Sequence, residues 1–190
     1  MMSQIIALYD ACVLYPAPLR DLLMQLAVTD LFRAKWSNQI HDEWIRNLLK
    51  NRPDLTREKL IKVRDLMNEN VRDCLVEKFK NISTTLKLPD KDDHHVLAAA
   101  IKCSASVIVT FNLKDFPKSI LQKYDIEPQH PDDFIIALFE SRPAVICACA
   151  KTCRQRLKNP TFDVERYLAV LEKQSLPKLV SRLRDYAEII

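Results

Sequence analysis

The chain has 190 residues, 48% of them apolar and 28% charged, with a net charge of +4 and no glycine. Such a chain buries a real core but is no polycation, which leaves any contact with nucleic acid to the distribution of its charges. The absence of glycine excludes the standard loops that cradle phosphates or a dinucleotide, and it hands the turns to Pro, Asn, Asp and Ser.

The opening IIALYD is a short apolar run closed by one carboxylate, the pattern of a buried strand with Asp10 at its C-terminal end. LRDLLMQLAV then carries apolar residues at helical spacing and predicts a helix from about Leu19 to Val28, followed by FRAKW as a short strand. Ser37 is placed to cap a helix through NQIHDEWIRNLLKN, with Ile40, Trp44, Leu48 and Leu49 on one face and Glu43 beside it. A further periodic helix is expected from Thr56 to about Asp73, whereas Cys74 to Leu86 reads equally as helix, strand or loop. LPDKDDHHVLAAAIKC predicts a turn and then a helix with Asp92 and Asp93 in its first turn, where the helix dipole favours carboxylates. SVIVTF is the second clear buried strand, and Asn112 and Asp115 follow it. Helix resumes near Lys118, IEPQH is a last short strand, and Pro131-Asp132-Asp133 opens another helix. Beyond it the segments look like successive amphipathic helices broken at Pro143, Pro160 and Pro177.

Alternating strands and helices, with strands apolar throughout, predict an α/β fold in which helices flank a mostly parallel sheet, with a C-terminal helical extension. The expected division is an α/β unit over residues 1–131 and a helical subdomain over 132–190. No apolar run approaches the roughly 18 residues that span a bilayer, and the N-terminus lacks a basic leader, so a cytoplasmic protein is expected. The six cysteines contain no C-x-x-C pair and read as small buried thiols.

Ligands of open α/β sheets bind outside the carboxyl ends of the strands. Asp10 meets that description for the first strand, and Asn112 with Asp115 for the second, while helices beside the crevice can aim Glu43 and Asp93 into it. Acidic oxygens gathered without Cys or His suit a hard divalent cation bridged to a substrate phosphate. Singly, each acid has a plainer reading as a turn residue, a solvated charge or a helix cap. Asp90 and Asp92 read as solvated or capping residues, with contact to a metal, even through water, the second reading for Asp92; Thr110 reads as a core strand residue, and the His94-His95 pair as one exposed and one packed histidine.

Taken together, IIALYDACVLYP, WSNQIHDEWIRNLLK, DKDDHHVLAAAIKCSASVIVTFNLKDFP and PDDFIIAL resemble the PIN-domain nucleases, most closely their VapC-like branch, over about residues 4 to 138. The resemblance implies a Mg²⁺- or Mn²⁺-dependent ribonuclease acting on single-stranded RNA, commonly the toxin of a toxin–antitoxin pair that meets an antitoxin protein and forms a homodimer. It also implies that Asp10, Glu43 and Asp93 are the metal ligands. Asn112 stands where many PIN domains have a fourth aspartate, which favours one metal over two and leaves Asp115 to compensate. A PIN-like module that binds RNA or protein without catalysis is the rival reading, with Asn112 as its only sequence sign. Seven basic residues between Arg46 and Arg64, against two acids, offer a phosphate-steering face or simply a solvated one. A second basic run, Arg142 to Lys158, has five basic residues and no acid.

Overall fold

The computed structural model describes residues 4–84 and 86–190. Strand β1 (Ile6–Tyr9) runs into the one-turn helix α1 (Ala11–Leu14), then α2 (Ala17–Ala27) and β2 (Arg33–Lys35). Helices α3 (Asn38–Asn51), α4 (Arg57–Asn70) and the short α5 (Lys80–Ser83) precede α6 (His94–Lys102) and β3 (Val107–Val109). After α7 (Lys118–Leu121) and β4 (Glu127–Gln129) the chain is helical: α8 (Pro131–Ser141), α9 (Pro143–Arg156), α10 (Val164–Lys173) and α11 (Pro177–Arg184).

The four strands form one parallel sheet in the order β2-β1-β3-β4, as the expected α/β class requires. Leu8 lies opposite Lys35 on one side and Ile108 on the other, and the two middle strands, β1 and β3, are almost wholly buried. Pro128 is tolerated in β4 because that strand pairs on one side only. From β1 the chain moves outward to β2 and then returns to build β3 on the other side. The order therefore reverses between β1 and β3, which makes their carboxyl ends the switch point where such sheets place ligands.

Local chemistry explains most boundaries. Ser37 caps α3 by accepting from the Ile40 N–H at 3.3 Å, and Thr56 caps α4 by accepting from Lys59 at 3.4 Å. Proline opens α8, α9 and α11, where the missing N–H costs nothing. The positive-φ positions that glycine usually fills fall to Asp30, Asp73, Lys78, Ser104, Asp125 and Ser175. The ambiguous segment after Asp73 makes a single parallel bridge from Leu75 to Trp36 and then the turn of α5, with residue 85 outside the described part.

One expectation fails in detail. Helix α6 starts at His94, with Asp93 in the capping position and no side-chain cap bond, so Asp92 and Asp93 precede the helix rather than sitting in its first turn. Asp90 explains this: its Oδ1 accepts from the Asp92 N–H at 2.9 Å and folds the acidic segment into a turn.

The C-terminal helices share the core of the sheet. Tyr9 is surrounded by Phe32, Trp36 and, from α8, Phe134, whose ring meets Phe32 edge-on at 5.0 Å. Helix α9 lies along α2, where Cys149 and Cys153 donate to the Gln25 and Asp21 carbonyls. Buried Asp132 of α8 accepts from the N–H groups of Lys178 and Leu179 and thereby closes the start of α11. Much of the second basic run is spent inside the fold: Lys151 donates to the Ile189 carbonyl, Arg154 to that of Phe162, and Arg156 to Asp21 and Gln25.

Candidate active site

Asp10 follows β1 immediately and is 2% exposed. Its N–H donates to the Val109 carbonyl at 3.1 Å, so the strand ladder fixes the backbone up to the residue that leaves the sheet. Its Oδ2 accepts from the Thr110 hydroxyl at 2.7 Å and from the Cys12 thiol at 3.1 Å. Thr110 is thus buried strand-end framework and also a direct partner of the first acid.

Helix α3 brings Glu43, and a buried polar network sets how that helix lies. Trp44 donates its indole N–H to His41 Nδ1 at 3.0 Å, which leaves the His41 proton on Nε2 to reach Asn68 Oδ1 at 3.0 Å. Trp36 donates to the same Asn68 oxygen at 2.8 Å. These bonds tie α3 to α4 and to the residue after β2. Burial brings His41 down to about 4, and it stays neutral there.

Glu43 and Asp93 are both pushed up to about 7, first by burial and next by the charge of Asp10. Asp90 and Asp92 add to the effect at Glu43, and Asp90, Asp115 and Glu43 itself add to it at Asp93. Asp10, Asp90, Asp92 and Asp115 thus bear on Glu43, on Asp93 or on both, with Arg46, one turn after Glu43, as the opposing cation at Glu43. Among the described residues, however, no three Asp, Glu, His or Cys side chains converge closely enough to enclose one ion.

His95 adds an unusual detail. Its Nδ1 donates to the Asp92 carbonyl at 2.6 Å, so the Nε2 of the neutral ring carries only a lone pair. That Nε2 is buried, lacks a hydrogen-bond partner and lies 3.5 Å from Glu43 Oε2. Burial lowers the His95 pKa, so the approach is a lone pair facing a carboxyl oxygen, not an ion pair. His94, by contrast, accepts from the Leu88 N–H at 3.3 Å and holds the preceding loop.

Residues 7–114 match the family profile described as PIN domain, more than half of the chain. The chain belongs to the PIN-domain family. Downstream of the PIN match, residues 131–185 match the profile described as VapC50 C-terminal domain. A Mycobacterium tuberculosis (strain ATCC 25618 / H37Rv) protein named "Putative ribonuclease VapC50" is 57% identical over 92 residues, 48% of this chain and 54% of that protein. The chain thus spans about half the length of the curated relative it matches. No solved structure matches it.

Asp10, Glu43 and Asp93 form one electrostatic group, with Asp115 at its edge through Asp93. Asn112 is exposed, and its contribution is a backbone N–H donated to Thr110 Oγ1 at 2.9 Å. Cys12 is the participant that sequence reasoning missed. Its signal is a polar side chain two residues after an acid at a strand end, which a reading of cysteine as a small apolar filler hides.

The donor set fits a hard divalent cation. Oxygens at the switch point, two carboxyls whose charging is opposed by burial and by each other, and an unpartnered buried nitrogen beside one of them are all relieved by a positive ion among them. The groove of about 540 Å³ between α2 and α4 includes none of Asp10, Glu43 and Asp93.

Proposed function

We propose that this PIN-domain chain is a Mg²⁺- or Mn²⁺-dependent endoribonuclease that hydrolyses RNA phosphodiester bonds in the cytoplasm. It acts as the toxin of a toxin–antitoxin pair and as a homodimer, with residues 1–131 as the nuclease unit and 132–190 as a helical subdomain built onto it. The carrying observation is that Glu43 and Asp93, from different elements, are both driven to about 7 with Asp10 as their shared charged neighbour. Three acids spread over 83 positions of sequence bear on one another's charge beside the point where the sheet order reverses. The printed name of the 57% identical relative, a ribonuclease, supports RNA as the substrate.

In this reading the carboxylates of Asp10, Glu43 and Asp93 would hold the ion, which when bound would supply Lewis-acid charge to a phosphate and acidify water. Asp115 strengthens the negative field from the β3 side, and the exposed Asn112 amide is free to hydrogen-bond the substrate. Exposed Arg46 and Lys50, on the helix that carries Glu43, attract the phosphate backbone. Arg52 is paired with Asp54 and Arg64 with Asp65, which partly neutralises these two members of the first basic run. The test is RNA cleavage with Mg²⁺ or Mn²⁺ by the wild type and by Asp10→Ala; equal rates overturn the assignment.

A further inference from the structure

The hydrogen bonds around Asp10 form two matched relays. The Asn112 N–H donates to Thr110 Oγ1 at 2.9 Å, and the Thr110 hydroxyl donates to Asp10 Oδ2 at 2.7 Å. The Phe111 N–H donates to Cys12 Sγ at 3.2 Å, and the Cys12 thiol donates to the same Oδ2 at 3.1 Å. A hydroxyl and a thiol each have one hydrogen; with a backbone N–H directed at the oxygen or sulfur, that hydrogen goes to the carboxylate, which lies 3.1 Å from Cys12 Sγ against 3.4 Å for Thr110 Oγ1. Two successive amides of the loop after β3 therefore reach one oxygen of the acid after β1, each through a single side chain. None of these bonds uses Oδ1.

We propose that Cys12 is a positioning residue for cation capture: with Thr110 it fixes Asp10 by Oδ2, so that Oδ1 alone is turned toward the ion. One donor would let the carboxylate pivot about the Thr110 bond; the second removes that freedom before the ion arrives. The thiol suits the task because S–H is a weak donor, anchoring the oxygen while drawing little charge from the group that must bind the cation. Its sulfur also satisfies the Phe111 N–H, which couples the loop carrying Asn112 and Asp115 to Asp10. This inference rests on the reading of Asp10 as a cation ligand.

The experiment is Mn²⁺ titration by calorimetry, well below the melting temperature, of the full chain as wild type, Cys12→Ala, Cys12→Val and Cys12→Ser. Loss of a side chain that orients a metal ligand weakens metal binding about 10- to 100-fold. Cys12→Ala and Cys12→Val are expected to bind Mn²⁺ at least about tenfold more weakly, and Cys12→Ser to recover most of the loss because a hydroxyl also accepts and donates. Val retains the volume without the hydrogen bonds, so a purely packing role predicts wild-type affinity for Val. Wild-type affinity in the Ala or Val variant, or a Ser variant no better than Ala, overturns the inference while leaving Asp10 as a ligand. No Mn²⁺ binding by the wild type overturns the ligand reading itself, and the inference with it.

Discussion

Replacing Glu43 with Gln should make the metal-free protein more stable at alkaline pH, and the size of the gain tests the electrostatic account of the site. Glu43 rises from its ordinary 4.5 to about 7 because burial and Asp10 oppose its charge. Folding therefore favours its protonated form: the penalty is absent below pH 4.5, grows as pH rises, and is complete above about 7. At roughly 1.4 kcal/mol per tenfold change in proton affinity, the full cost is about 3 kcal/mol. The side chain keeps 28% of its exposure and shares the repulsion with Asp93, so about 2 kcal/mol is expected from this one substitution. For a chain of this length, that raises the melting temperature by about 4 to 8 °C. The Gln amide can also donate to the unpartnered His95 Nε2 while that ring is neutral. The assay is thermal unfolding with excess chelator at pH 8 and pH 4.5. The expected outcome is a stability gap between variant and wild type that is wider at pH 8 by about 2 kcal/mol. A gap that does not change with pH, or a variant less stable than wild type at pH 8, refutes the reasoning. Adding Mn²⁺ at pH 8 should stabilise the wild type far more than Glu43→Gln, because only ligand bound to the folded form raises its melting point.

Burial lowers His41 from 6.5 to about 4, so its neutral form stabilises the fold above pH 6.5 and this contribution is lost on acidification; His41→Gln should lose about 3 kcal/mol less than wild type between pH 7 and pH 4 in urea titrations. Asp132→Ala removes the acceptor of two N–H groups at the start of α11 and should cost about 2 kcal/mol, seen as faster hydrogen exchange in residues 177–184. Ser104→Gly relieves a left-handed backbone with φ of 54° just after α6 and should stabilise the chain by about 1 kcal/mol in chemical denaturation. Arg46→Ala should weaken binding of a single-stranded RNA in the Asp10→Ala background and reduce the slope of affinity against salt by about one ion, whereas Lys173→Ala, on α10, should leave both unchanged.

Some features were decided by local chemistry and so could be read from the sequence. The apolar runs that become β1 and β3, the Ser37 and Thr56 caps, and the prolines opening α8, α9 and α11 act over a few residues. Family motifs also singled out Asp10, Glu43 and Asp93 as a set, since their residue types and order are visible without coordinates. Tertiary structure decided what those acids experience. The parallel order β2-β1-β3-β4 places the end of β1 beside that of β3, a contact between residues about 100 positions apart. Only that contact lets Thr110 and Cys12 meet on Asp10 Oδ2, and only convergence and burial together raise Glu43 and Asp93 to about 7. It also separates the two basic runs, leaving Arg46 exposed near Glu43 and drawing Lys151, Arg154 and Arg156 into internal bonds. A sequence lists which groups can carry charge or donate a proton; desolvation and distance, which determine what they do, exist only once the chain has folded.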